Sequence, residues 1–440
     1  MADRIHLIGV CGSGMSSLAL WYASRGFIVS GCDRNPGENL QELENAGISV
    51  FGDHSKSHVK DCGTVVFSAA VPMDHPEIVE ARMLGRRVLR RSEALAELAN
   101  GSDLLAVAGA HGKTTTTAMT GWILQEAGLE PTVMLGGRVS PWGGNFRSGS
   151  MLTVVEADEY DRTFLRLRPM TAAVTTYAVD HLECYGTPEA LALAYGVFLE
   201  MTRPGGTVVV PRVQSHLAEW AVRIGRRVIT TGDGGEVSCR QKRADGWIQE
   251  FDLDGIEGVL PMPGEHNLRN TETAIALAGT AGVGRQESVR ALSSFPGVSR
   301  RLERIGTLGG AVAVSDYAHH ADEIRETLSA LAGLSGGRVG VVFQPHLFSR
   351  TAAGADAMGR ALSLSDWSLI LPIYPAREAP LPGVTSSLVA EAAVRSGGRS
   401  ATCSPEELAE ELSMREADVI VFMGAGSVDE FGRKMVGVKN

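Results

Sequence analysis

The sequence predicts an α/β protein whose parallel sheets carry helices on both faces. Three observations lead there. Short apolar strands alternate with amphipathic helical stretches along the chain, the pattern of repeated β-α-β units. The 440 residues exceed what a single hydrophobic core serves, so two to four domains are expected. Glycine is frequent, 52 of 440 residues against about 7% in average proteins, which supplies tight turns at strand ends. No internal repeat and no low-complexity segment interrupts this pattern.

Forty-one basic and 51 acidic side chains give a net charge of −10. A nucleic-acid partner is not expected, because such proteins usually present a basic face. Anionic ligands remain open, since glycine-rich loops bind phosphate through backbone N–H groups. No run of about 18 apolar residues predicts a membrane helix. The opening Met1-Ala2-Asp3-Arg4 has no signal-peptide architecture. Six cysteines, at 11, 32, 62, 184, 239 and 403, are dispersed without a C-x-x-C pair. Reduced structural thiols in a cytosolic enzyme are the expectation.

The first segment, residues 1–98, reads as strands Ile5–Val10, Ile28–Cys32 and Thr64–Ser68, with a helix Met15–Arg25 stopped by Gly26. The second, residues 99–296, opens with the strand Leu104–Ala108 and continues with Leu152–Glu156, Ala172–Thr176 and Thr207–Val210. Alternation from about 232 to 263 predicts antiparallel strands, and a helix follows over about 267–281. The third, residues 297–440, carries strands Ala311–Ser315, Val339–Phe343, Leu369–Ile373 and Val419–Met423.

The sharpest chemical signal is Ala108-Gly-Ala-His-Gly-Lys-Thr-Thr-Thr, placed between a strand and a helix. Such a turn gathers N–H dipoles around one anion. Lys113 would reach the outer phosphates and the Thr114 hydroxyl would ligate Mg²⁺. Val107 breaks the strict G-x-x-x-x-G-K-[ST] pattern; Gly109 and Gly112 stand in the loop instead. Glu156 ends a neighbouring strand, with Asp158, Glu159 and Asp161 behind it, where a phosphate-bound Mg²⁺ takes its protein ligand. Asp180-His181 follows the strand Ala172–Thr176, and His181 is either a further ligand or structural.

At the N-terminus, Gly9-Val-Cys-Gly-Ser-Gly-Met approaches a dinucleotide fingerprint, but Cys11 stands where its middle glycine belongs. Asp33 lies near the position of a ribose-binding acid. The loop either binds a nucleotide or nucleotide sugar, or serves close strand–helix packing. In the third segment, Asp316-Tyr-Ala-His-His, Gln344-Pro-His-Leu-Phe-Ser-Arg, Tyr374-Pro-Ala-Arg-Glu and Gly424-Ala-Gly all follow strand C-termini, where open α/β sheets bind ligands. Arg350 suits a carboxylate. His319 and His320 lack zinc spacing. Arg300-Arg301 is either a solvated pair or a reach toward phosphates.

Taken together, these segments resemble the Mur ligase family of peptidoglycan synthesis, in order and over nearly the whole chain. Gly264-Glu-His-Asn-Leu-Arg-Asn and Gly297-Val-Ser-Arg-Arg-Leu-Glu complete the set. The resemblance implies an N-terminal Rossmann-like domain for a UDP-sugar, a central P-loop ATPase-like domain with a mostly parallel sheet, and a C-terminal Rossmann-like domain. It implies an ATP-dependent, amide-forming ligase that adds L-alanine to the lactyl carboxylate of UDP-N-acetylmuramate through an acyl phosphate, releasing ADP and phosphate. The expected setting is the bacterial cytoplasm, in cell-wall biogenesis, with small-molecule substrates, no membrane partner and a monomer or homodimer.

By the same resemblance, Gly12, Ser13, Gly14, Met15, Asp33 and Ser68 contact the UDP portion. Gly109, Ala110, His111, Gly112, Lys113, Thr114 and Thr115 wrap the ATP phosphates. Thr114 and Glu156 hold one Mg²⁺ and His181 a second. His266, Asn267 and Asn270 lie near adenine, Arg301 reaches ATP, Asp316 contacts ribose, and His346 and Arg350 hold L-alanine. Lys113, Glu156, His181 and Arg301 form the catalytic set. The chain departs from the family at Thr176-Tyr-Ala-Val-Asp-His, where Asn and Glu often precede Asp-His, and at His346-Leu-Phe-Ser-Arg. A recycling ligase that attaches a preformed peptide to the same sugar nucleotide is the nearest alternative, and an NAD-dependent oxidoreductase built on the N-terminal loop a more remote one.

Overall fold

The computed structural model describes residues 3–437 apart from 38, 161, 179–181, 336 and 377, with the backbone alone at 182, 183, 245 and 335. Strands covered by helices on both faces read as unbroken apolar runs. Four of them end where the sequence places them: Ile28–Cys32, Leu152–Glu156, Val339–Phe343 and Val419–Met423.

The first sheet is wholly parallel, in the order Ser49–Phe51, Ile28–Cys32, Arg4–Ile8, Thr64–Phe67, Arg87–Arg90. The order in which successive strands are added reverses between Arg4–Ile8 and Thr64–Phe67, and ligand crevices open at such points. The helix Ser13–Ser24 follows the first strand and starts two residues earlier than expected, after the extended Gly12. Met15 to Tyr22 are all buried, so the middle of this helix is covered on every side. It packs on its own sheet, and its Trp21 ring meets Phe146 of the next one at 6.3 Å. Gly26, at φ +84°, ends the turn as predicted.

The seven-stranded second sheet runs Arg227–Thr231, Thr207–Pro211, Thr171–Val174, Asp103–Ala108, Leu152–Glu156, Thr132–Val139, Gly144–Arg147. The last strand is an antiparallel edge. Between the second and third large sheets, Arg240–Asp245, Ile248–Leu253 and Ile256–Leu260 form a meander. Its two-residue turns use left-handed backbone at Gly246, Asp254 and Gly255, so neighbouring strands run antiparallel as expected. The six-stranded third sheet runs Glu303–Leu308, Ala311–Asp316, Val419–Met423, Val339–Phe343, Trp367–Ile370, Ser400–Thr402, and only the first strand is antiparallel.

Two compact units result. One comprises Met1–Arg240, Leu253–Ile256 and Arg269–Pro296; the other Gln241–Asp252, Glu257–Leu268 and Gly297–Asn440. A continuous core under the first two sheets, from Leu7 and Trp21 through Ala106 and Phe164 to Val208, unites the first unit. In the second unit, Phe343 and Val421 fill one face of the sheet and Leu369 and Phe422 the other. No helix among the described residues is long and apolar enough to cross a membrane.

Candidate active site

Register places the first cluster. Val107 pairs with Glu156 and Ala108 with Val174, so the loop 109–112, Glu156 and Thr175 leave the second sheet at one end. Two glycines are required there. Gly109 has φ +135°, and a Cβ on it would overlap the Thr175 hydroxyl. Gly112 has φ +80° at the cap of the helix Lys113–Glu126, and a Cβ would overlap Asn270 Oδ1. Thr176 fastens the loop: its carbonyl accepts from Ala110 N at 2.9 Å and its hydroxyl from His111 N at 2.8 Å. Those two amides are therefore engaged. The first-turn amides beyond Gly112 have no acceptor inside the helix and point its positive end outward.

Lys113 Nζ donates to Gly109 O at 2.6 Å and to Glu159 Oε1 at 2.8 Å. Burial works against the Lys113 charge, but Glu159, Asp158 and Glu156 outweigh it and hold its pKa above the ordinary lysine value. Burial pushes the Glu159 carboxyl upward, with Lys113 opposing. Thr114 Oγ1 donates to Glu156 Oε1 at 3.0 Å, and Gly136 N to Glu156 Oε2 at 2.7 Å. Asn270 accepts from Thr116 Oγ1 at 3.3 Å, beside Gly112. Asp180 and His181 lie outside the described residues.

The sequence reading gave weight to Glu156 and missed Glu159 as the partner of Lys113. The only signal was a further acid three residues past the strand end, and the path of residues 157–160 turns Glu159 inward. A cleft of about 810 Å³ opens at the opposite end of this sheet, around Asn100, Ser102, Arg168, Arg203 and Arg226; none of the expected site residues lines it.

A second cluster lies at the reversal point of the first sheet. Asp33 Oδ2 accepts from Cys11 N at 3.1 Å, closing the Gly9–Met15 loop over the end of the neighbouring strand. Ser68 follows the strand across the crevice, and Gly9 approaches it closely enough that an added Cβ would touch its Cβ at 3.5 Å. Ser13 turns toward the second sheet: its hydroxyl donates to Gly136 O at 3.0 Å and its carbonyl accepts from Asn145 Nδ2 at 2.8 Å. Arg138 crosses the same seam to Asn39 and Glu42.

In the second unit, residues collect past the C-termini of the third sheet. Arg350 Nη1 lies 3.2 Å from His346 Nδ1. Arginine only donates, so the imidazole proton sits on Nε2. The His346 ring stacks on Tyr374 at 5.7 Å and meets His319 edge-on at 5.9 Å. Burial, then Arg350, lowers the His346 pKa to about 4; burial lowers that of His319 to about 3. Arg300 and Arg301 both cover the Tyr317 ring, at 4.9 and 5.1 Å. Their roles differ. Arg300, left-handed at φ +60°, ties Gly424 O and Gly426 O to its guanidinium. The buried Asp316 accepts from Leu302 N at 2.8 Å, Ala318 N at 2.9 Å and Thr327 Oγ1 at 3.0 Å, so it fixes the turn that presents Arg301. Burial raises the Asp316 pKa against the pull of Arg301. His266 lies 3.5 Å from Glu326, and Asn267 donates to Pro263 O at 2.7 Å.

Three family descriptions match the chain nearly end to end: "Mur ligase family, catalytic domain" over residues 4–103, "Mur ligase middle domain" over 107–278 and "Mur ligase, glutamate ligase domain" over 300–426. The chain belongs to the Mur ligase family. The three large sheets are the sheets of the three Mur ligase domains. Among similar Mur ligases, the UDP-N-acetylmuramate–L-alanine ligase of Renibacterium salmoninarum is 40% identical over 98% of this chain and 94% of its own length. That of a Nocardioides species is 41% identical over 99% and 96%. The solved UDP-N-acetylmuramate-alanine ligase of Thermotoga maritima has a TM-score of 0.84 at 28% identity, covering 99% of this chain and 98% of that one. A murein peptide ligase from Psychrobacter arcticus shares the fold, with a TM-score of 0.73 at 24% identity and the same coverage.

Proposed function

We propose that this Mur ligase adds L-alanine to the lactyl carboxylate of UDP-N-acetylmuramate at the expense of ATP, in the bacterial cytoplasm, with functional domains at 1–98, 99–296 and 297–440. The observation that carries this reading is the convergence of Lys113, Thr114 and Glu156 at one sheet end, in a chain that matches alanine-adding relatives over its whole length.

Joining a carboxylate to an amine in water is uphill. Transfer of the ATP γ-phosphoryl group to the carboxylate gives an acyl phosphate and ADP. The neutral amine of alanine adds to the acyl carbon, and phosphate leaves as the amide forms. Lys113 and the free amides at the start of its helix stabilise charge on the phosphoryl group in transit. To do so Lys113 must turn from Glu159 toward the nucleotide. The Thr114 hydroxyl and Glu156 carboxylate, hard oxygen donors 3.0 Å apart, fit Mg²⁺, which when bound neutralises phosphate charge. His181 as a ligand of a second ion rests on the family resemblance.

Gly12 to Met15, Asp33 and Ser68 receive the UDP portion at the crevice of the first sheet. The family resemblance assigns His266, Asn267 and Asn270 to adenine and Asp316 to the ribose; within its own unit Asp316 also positions Arg301. Arg350 and the Nε2–H of His346 are both donors, and both suit the alanine carboxylate. With Nδ1 turned to Arg350 and a pKa near 4, His346 fits that task better than proton abstraction.

The test is phosphate release from purified protein with ATP, Mg²⁺ and UDP-N-acetylmuramate, one amino acid at a time. L-Alanine should give both phosphate and a new UDP-linked product. Failure with every amino acid would overturn the reading; product only with a preformed tripeptide would make the chain a recycling ligase.

A further inference from the structure

Away from the phosphate loop, the first sheet buries a group that the ligase chemistry does not use. His6 comes from the strand Arg4–Ile8, Cys32 from the end of Ile28–Cys32, His58 from the turn Lys56–Val59 and Glu77 from the helix Pro76–Met83. One ligand atom from each lies within 4.8 Å of all the others. Cys32 Sγ is 3.1 Å from Glu77 Oε2, His6 Nε2 is 3.3 Å from the same oxygen, and His58 Nδ1 is 3.0 Å from Glu77 Oε1. His6 and Glu77 are wholly buried.

We propose that His6, Cys32, His58 and Glu77 form a closed, four-ligand structural site for Zn²⁺. The donor set is two imidazoles, one thiolate and one carboxylate, each a regular zinc ligand. Bond lengths of about 2.0–2.3 Å put the ligand atoms of a tetrahedron roughly 3.4–3.6 Å apart, so the three close contacts widen by a few tenths of an ångström and the wider pairs, up to 4.8 Å apart, draw in by about an ångström at most. Zinc replaces the Cys32 thiol proton, which leaves to solvent. With four protein ligands, no position stays open for water, so the site supports structure and not hydrolysis.

The surroundings agree with this assignment. The His6 Nδ1 meets Ser30 Oγ at 2.9 Å, the outer-shell bond that fixes the tautomer of a metal-bound histidine. Its Nε2 is buried and aimed into the cluster, where the approach to Glu77 Oε2 at 3.3 Å lacks hydrogen-bond geometry. The His58 ring is held flat against Phe51, with centroids 4.1 Å apart and planes at 11°. His54 Nδ1 stands 3.1 Å from the Cys32 sulfur, and Ser55 N donates to Glu77 Oε1 at 2.7 Å. The four ligands are spread over 72 residues, from 6 to 77, which is why no spacing motif announces them. The Cys32 carbonyl also accepts from Gly9 N at 2.8 Å and Val10 N at 3.2 Å, so an ion here would stiffen the strand end that supports the Gly9–Met15 loop.

The experiment uses the full chain without an affinity tag, stripped with chelator, dialysed, and then titrated separately with Zn²⁺ and Co²⁺. About one equivalent of zinc should survive dialysis and raise the melting temperature, and cobalt should give a thiolate-to-metal charge-transfer band. Cys32→Ser should lose the band and the bound equivalent, while Cys62→Ser, at a buried thiol outside the cluster, should retain both. His58→Asn keeps the thiol and should weaken zinc binding even if Cys32→Ser fails to fold. Wild-type protein that takes up no zinc, or binding that Cys32→Ser and His58→Asn leave unchanged, would mean that the cluster is only a hydrogen-bonded network.

Discussion

Lys113 and Glu159 form a nearly dry ion pair, with side chains 13% and 2% exposed. Lys113→Ala should lower kcat by about 10²–10³-fold, the scale of losing one transition-state charge donor. It also strands Glu159, at a cost of up to about 3 kcal/mol in urea unfolding. Adding Glu159→Gln should return the stability but not the turnover. Glu159→Gln alone removes a competitor for the lysine, so ATP should bind roughly tenfold more tightly by calorimetry, or about 1.4 kcal/mol; weaker binding would show that Glu159 assists the nucleotide. Arg350→Ala should chiefly raise the KM for alanine. His319 and His346 carry folded-state pKa values of about 3 and 4, below the ordinary value near 6.5. In that interval the unfolded chain binds more protons, so stability rises with pH. The contribution of these two rings is complete above about pH 6.5 and is lost as the pH falls toward 4. Denaturant titrations from pH 7 to 4.5 should show this slope, and His319→Gln should flatten it.

Among elements, legibility followed burial. Strands with both faces covered had one physical solution, a continuous apolar run; four were read to the residue, while Arg4–Ile8, Thr171–Val174 and Trp367–Ile370 lie one to three residues from their expected ends. Short or edge strands such as Arg87–Arg90, Gly144–Arg147 and Ser400–Thr402 are held by pairing more than by pattern, and the sequence reading passed over them. The strand–loop–helix turn at residues 109–113 was legible because strand, glycine and helix start must be contiguous. Its acid was not, because a carboxylate that folds back from residue 159 has no required spacing. The residues alone did not separate Arg300 from Arg301; the family resemblance picked Arg301, and the left-handed backbone at 300 and 302 accompanies an Arg300 guanidinium turned to the carbonyls of Gly424 and Gly426. Two elements permit sharp tests. Gly112→Ala places a Cβ against Asn270 at positive φ, costing about 1–2 kcal/mol in backbone strain and displacing the loop; thermal unfolding should report the first and ATP binding the second. Trp21→Ala removes the largest side chain of the helix Ser13–Ser24, itself fully buried, and should cost about 3–5 kcal/mol in urea unfolding.

At the scale of the whole molecule, the compact units do not follow chain order. Residues 241–252 and 257–268 pack with 297–440. Trp247 lies in that unit under the Arg304 guanidinium, 5.4 Å away, and Gly264 abuts Ala330. A chain cut after residue 296 therefore leaves the meander without its apolar partners. The fragment 1–296 should bind hydrophobic dye more strongly than the intact chain, and adding the 297–440 fragment should reverse this. A fragment as dye-silent as the parent would show that the meander is self-sufficient.

The pairing of Lys113 with Glu159 has one more consequence. A bare cationic pocket sheds salt ions when phosphate arrives, and its affinity falls steeply as ionic strength rises. Here the resting counter-ion is part of the polypeptide, so nucleotide entry is an exchange of one anion for another. Affinity for ATP should therefore vary only weakly with added chloride, and it should steepen once the internal carboxylate is replaced by an amide.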